Sequence, residues 1–141
     1  MIDRNRLINY ISEIINALKV LKEYSKLTKE EFLNSPQIIR DAKYCFIIAS
    51  QASIDICYHL TAKLIKKAPK DYSNCFEILK ELKVFNEQTL RELAIMAKFR
   101  NLLVHHYVKV DDSKVFEKLS EIKCFEEFLD QLNLLIKNQP L

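Results

Sequence analysis

The chain has no glycine, no tryptophan and only three prolines in 141 residues. Glycine-rich phosphate loops need backbone conformations and close approaches that a Cβ obstructs, so P-loop and dinucleotide-binding signatures are excluded. Glycine is also costly inside helices, and its absence points towards a helical protein. Cysteine is sparse and dispersed, at Cys45, Cys57, Cys75 and Cys124, with no CxxC pair. A zinc site or a thioredoxin-like motif is therefore not expected. Three of the cysteines sit in apolar contexts (YCF, DICY, KCF) and read as buried free thiols in a reducing cytosol. No apolar run approaches the roughly 20 residues of a membrane span, and the opening MIDRNRLINYIS is charged, without the apolar core of a signal peptide. A cytoplasmic protein without membrane contact is expected.

What is present suits a packed core. Apolar residues make up 49% of the chain and charged residues 29%, which fits one domain over residues 1–141. The net charge of +3 is mildly basic and does not by itself argue for nucleic acid. Short lysine runs such as Lys63, Lys66 and Lys67 read as solvated helix faces.

Apolar residues at Leu7, Tyr10, Ile11, Ile14, Ile15, Leu18 and Leu21 fall at steps of three and four, one stripe of a helix. Thr28 and Glu31 form a capping-box pattern for a short turn, and Ser35-Pro36 restarts the chain as N-cap and first helical residue. From Pro36 to about Lys67 nothing interrupts a helix. Its middle, YCFIIASQASIDICYHL, is apolar around much of its circumference, as in a central helix or one serving both a core and a subunit interface. Ser73 is the expected cap of a short helix through Phe76, Leu79 and Leu82, and another helix is expected from near Asn86 to about Val104. Asp111-Asp112-Ser113 is expected to cap one last helix, with a stripe from Val115 to Ile136. The sum is an all-α antiparallel bundle of four or five helices.

The stretch KFRNLLVHHYVKVD, residues 98–111, places Arg100, Asn101, His105, His106 and Tyr107 within eight residues. On a helix Asn101 and His105 share a face, whereas Arg100 and His105 are about 140° apart. One reading is structural: histidines favoured by the dipole at a helix C-terminus, a surface ion pair for Arg100 and a half-buried ring for Tyr107. The other is chemical. RNA cleavage needs proton transfers, which suit histidine, and charge stabilisation at phosphorus, which suits the planar fork of arginine. No metal or other cofactor is called for. Asp55, in an apolar stretch, needs a partner; it pairs with His59, bonds to a neighbouring helix, or orients Arg100 or His105. Gln51 is expected to make an interhelical hydrogen bond, and His106 to point to solvent.

FRNLLVHHY resembles the RxxxxHxY signature of the HepT-like toxins, a branch of the HEPN ribonucleases, with Arg100, His105 and Tyr107 at the signature positions and Asn101 at the polar residue after the arginine. SQASIDICYHL resembles the central helix of that family, with Gln51 and Asp55 at its polar positions. PKDYSNCFEIL resembles its next loop and short helix through Pro69, Tyr72 and Phe76. The resemblance implies a helical homodimer whose two Arg/His motifs share a cleft. It implies a metal-independent RNA endonuclease, with Arg100 and His105 catalytic and Asn101, Gln51 and Asp55 supporting. It implies a minimal nucleotidyltransferase antitoxin as partner, which neutralises the toxin by adding AMP from ATP to Tyr107. Two other readings remain: a non-catalytic helical subunit paired with a nucleotidyltransferase, and a bundle that binds RNA without cutting it.

Overall fold

A computed structural model describes residues 1–139. Among the described residues seven helices follow one another, α1 (Arg4–Ser25), α2 (Lys29–Leu33), α3 (Pro36–Leu60), α4 (Tyr72–Leu79), α5 (Glu87–His105), α6 (Asp112–Lys118) and α7 (Lys123–Lys137). No strand occurs among the described residues. Four long helices, α1, α3, α5 and α7, form the bundle; α2, α4 and α6 are short connecting pieces.

Polar contacts at the helix ends fix the directions. The start of α1 meets the end of α3, where the Asp3 N–H donates to His59 Nε2 at 2.9 Å. At the other end the Tyr24 hydroxyl donates to Asp41. That bond, together with burial, pushes the Tyr24 phenol up to about 12. Arg4 donates to the Ile136 carbonyl at one end of the α1–α7 pair, and Lys22 meets Glu126 at 2.7 Å at the other. Lys43, early in α3, reaches the Tyr107 carbonyl just beyond α5. Each of these pairs therefore runs antiparallel. Aromatic contacts fill the interior: Phe46 on α3 meets Phe99 on α5 edge-on at 5.4 Å, and Phe85 meets Phe128 on α7 at 5.3 Å. The buried side chains form one continuous core. All four cysteines are free and buried in it, and burial pushes Cys45 up to about 11 and Cys124 to about 12.

Helix starts follow side-chain capping. Thr28 and Glu31 complete the capping box, Ser35 caps α3 before Pro36, and Asn86 caps α5. For α4 the cap is Asp71, not the expected Ser73. Asp71 is extended and accepts from the Asn74 N–H at 2.7 Å, and its carboxylate meets the positive end of the helix dipole.

The expected final helix is two helices. A 3-10 turn at Leu119–Glu121 breaks it, and the Ser120 hydroxyl bonds to the Glu117 carbonyl there. Packing explains the bend. α6 lies on α2 through Phe116 and Phe32, 5.4 Å apart, while α7 lies against α5, where Thr89 donates to Glu127 at 2.9 Å. Val115, Leu119, Ile122 and Phe125 are buried on both sides of the bend, so the apolar stripe carries no mark of it.

Without glycine, two turns use lysine in the left-handed region. α3 ends in a π turn, Thr61–Ile65, closed by Lys66 at φ 61°, and Lys83 adopts φ 57° after α4 and its 3-10 extension. A Cβ is disfavoured there by roughly 1–2 kcal/mol. Lys66→Gly and Lys83→Gly are each expected to stabilise the fold by about 0.5–1 kcal/mol after the added freedom of the unfolded chain is counted. Urea titration checks this, and a lowered midpoint in both variants would contradict it.

His59 is buried and accepts the Asp3 N–H, which requires an unprotonated Nε2. Burial, and next the charges of Arg6 and Lys63, hold it below its ordinary value of 6.5, against the smaller opposing pull of Asp3. The unfolded chain thus takes up a proton that the fold refuses. The stability from His59 is complete above that ordinary value and is lost as pH falls below it. His59→Gln is expected to flatten the decline of melting temperature between neutral and mildly acid pH. Parallel declines in variant and wild type would remove His59 as the cause.

Candidate active site

Helix α5 carries the site and ends within it. Leu90, Leu93, Met96, Ala97, Phe99 and Leu103 are buried and fix the roll of the helix. Arg100 lies beside this buried face and is half-buried. Its guanidinium carbon stands 6.0 Å from the centre of the Tyr72 ring, at the start of α4. Tyr72 in turn meets Tyr58 of α3 edge-on at 6.1 Å. Arg100 Nη1 donates to Asn101 Oδ1 at 3.0 Å, while its Nε is buried without a hydrogen-bond partner among the described residues. No carboxylate lies in salt-bridge range of Arg100 among those residues, so the surface ion pair of the structural reading is absent.

His105 is the last residue of α5 and is exposed. No side-chain hydrogen bond joins it to Asn101 or Arg100 among the described residues; Asn101 serves Arg100 instead. His106 leaves helical geometry at φ −133° and ψ 36°, and its exposed ring lines an open groove between α5 and α6 with Lys98, Leu102 and Lys114. Tyr107 is therefore placed by the turn after α5, not by a helical face shared with Arg100. Its ring is half-buried. The exposed polar end of α5 and the half-buried arginine together offer groups for proton transfer and for an anion.

Gln51 and Asp55 follow Tyr44 and Ile48 along one stripe of α3, opposite the buried stripe of Ile39, Phe46, Ser50 and Ser53. Both are half-buried, and Gln51 Nε2 donates to Asp55 Oδ1 at 2.9 Å. Gln51 thus bonds within its own helix, not across to another. Asp55 does not pair with His59, whose Nε2 accepts from the Asp3 backbone, and it makes no hydrogen bond to Arg100 or His105 among the described residues.

Sequence reasoning passed over Lys43 and the contact of Tyr72 with Arg100. Lys43 falls on the buried stripe of α3, between Ile39 and Phe46, and is only 5% exposed. A lysine in register with core residues was the signal available. Tyr72 gave none, because its meeting with Arg100 depends on how α4 folds back. Among the described residues no three His, Cys, Asp or Glu side chains gather as a metal-binding group. No helix among them is long and apolar enough to cross a membrane.

Fold and site together define an all-helical bundle in which one long helix ends in an Arg-x4-His-x-Tyr motif. The family model described as "Ribonuclease HepT-like" matches residues 14–132, and the chain belongs to that family. A relative from Archaeoglobus fulgidus is 30% identical over 121 residues, spanning 86% of this chain and 85% of its own. The tRNA nuclease HepT of Aphanizomenon flos-aquae is 28% identical over 117 residues, or 80% and 78% of the two chains. A tri-AMPylated HEPN toxin of Shewanella oneidensis, solved with its MNT antitoxin, superimposes with a TM-score of 0.82 at 21% identity, over 95% of this chain and 99% of the other. At that identity the likeness bears on the fold.

Proposed function

We propose that the protein is a metal-independent RNA endonuclease, the toxin of a pair whose antitoxin is a minimal nucleotidyltransferase that adds AMP to Tyr107. The observation that carries the proposal is the half-buried Arg100, unpaired with any carboxylate among the described residues and five positions before an exposed His105. A guanidinium left without an acid retains its fork for a phosphate. Family membership and the tRNA nuclease among the relatives support the RNA substrate. The AMPylated, antitoxin-bound toxin among the similar folds supports the partner. Four free, buried thiols suit a cytoplasmic setting.

In the proposed reaction His105 takes the proton of an RNA 2′-hydroxyl. The 2′-oxygen forms a bond to the adjacent phosphorus, and the bond from phosphorus to the 5′-oxygen breaks. A histidinium returns a proton to that leaving oxygen, so the products are a cyclic phosphate and a 5′-hydroxyl. Arg100 bears the charge that grows on the phosphoryl oxygens. Arg100 and His105 project about 140° apart on one helix, so a homodimer supplies a better-converged set from two copies. The outward stripe of Tyr44 and Ile48 on α3, and exposed Leu102, Val104 and Val108, offer apolar surface for such an interface.

The test is cleavage of total cellular RNA by protein shown unmodified by intact mass, with and without chelator. Cutting that survives chelation, by a species of twice the 16.7 kDa chain mass in sedimentation, is expected. Loss of cutting with chelator overturns metal independence. Binding without any cutting leaves a helical RNA-binding protein instead.

A further inference from the structure

Lys43 is the one lysine or arginine buried among the described residues, and it sits on α3, apart from the motif helix. Its ammonium donates to the Tyr107 carbonyl at 3.0 Å, meets Asp112 Oδ1 in the first turn of α6 at 3.3 Å, and lies 4.5 Å from the centre of the Tyr107 ring. Three attachments thus converge on the segment where α5 has run out. From His106 to Asp111 the backbone holds itself by only a few bonds, His106 N–H to Leu102 and the Lys109 and Val110 N–H groups to His106. Burying an ammonium is costly unless it is paired and bonded. Here its partners are the backbone and ring of Tyr107 and an acid just beyond the motif.

We infer that Lys43 is the positioning residue of the site: it clamps the His105–Tyr107 end of α5 to α3 and α6, and so sets where the histidine and the tyrosine stand. The inference rests on the nuclease reading for its kinetic consequence but not for the clamp itself. Lys43 touches neither Arg100 nor His105 by hydrogen bond, so its effect on cleavage passes through backbone placement. A misplacement of about 1 Å can cost on the order of 100-fold in rate, which is the scale expected here.

Lys43→Met keeps most of the stem and removes the charge. It is expected to lower kcat for RNA cleavage on the order of 100-fold with KM little changed. Lys43→Arg keeps a cation able to reach the carbonyl and the carboxylate, and is expected to recover at least about tenfold of that loss. Amide hydrogen exchange, read without RNA, is expected to quicken at His106, Lys109 and Val110 in Lys43→Met while Leu93 and Met96 stay protected. Wild-type kcat in Lys43→Met overturns the inference, and so does a raised KM at constant kcat, which would make Lys43 an RNA-binding group. If Lys43→Met does not fold, Asp112→Asn decides: a several-fold fall in kcat with faster exchange at 106–110 supports the clamp, and unchanged values overturn it. If wild-type protein cuts no RNA, the nuclease reading fails, and the exchange data still test the clamp.

Discussion

His105→Ala is expected to lower the rate of RNA cleavage about 1000-fold, within the range that one positioned acid–base group contributes. The ring is exposed at the last position of α5 and makes no side-chain hydrogen bond among the described residues, so its removal leaves the core untouched. An unchanged melting temperature beside the lost activity is the signature sought. Arg100→Lys is the companion: it keeps the charge and loses the two-pronged fork, and its effect should also fall on kcat. Mixed dimers of His105→Ala and Arg100→Lys chains extend the test. If the two motifs share one cleft, mixing should shift activity away from the average of the two homodimers. Cutting at the wild-type rate by His105→Ala would remove the histidine from the mechanism and return it to a plain helix-end residue.

Tyr107→Phe is expected to abolish neutralisation by the partner nucleotidyltransferase. The substitution keeps the ring beside the Lys43 ammonium and removes only the hydroxyl that would accept AMP. Wild-type protein incubated with the partner and ATP should gain AMP-sized mass on the tryptic peptide bearing Tyr107, and cleavage should fall with the modified fraction. Tyr107→Phe should gain no such mass and should retain whatever cleavage it has before treatment. The physical basis is placement. A phosphate attached to Tyr107 brings negative charge and bulk to a point two residues from His105, where an RNA phosphate would have to lie. Full neutralisation of wild type without modified Tyr107 would point to simple obstruction by the bound partner.

Much of the fold is local, and local features are legible in a sequence. Thr28 with Glu31, Ser35 before Pro36, and Asn86 each start a helix because a short polar side chain satisfies amides two or three residues ahead. The stripe of α1 and the end of α5 near Val104 follow from periodicity in the same way, except that Ile15, expected on that stripe, is exposed beside the buried Ile14. That Asp71 and not Ser73 would cap α4 was not legible, since both residue types are good caps and they stand only two positions apart. The break before α7 was not legible either, because Leu119 and Ile122 keep the stripe intact through the bend.

The helical class, most helix starts and the motif spacing of Arg100, His105 and Tyr107 are written in the chain itself, because capping, periodicity and spacing act over a few residues. The surroundings of those residues were set by helix packing. It gave His59 to the Asp3 backbone instead of to Asp55, and it left Gln51 and Asp55 bonded to each other on the outer stripe of α3. It brought Tyr72 to Arg100 and Lys43 to Tyr107 across 28 and 64 positions of chain. Contacts of that range depend on how α3, α4 and α5 pack, which no spacing within one helix encodes.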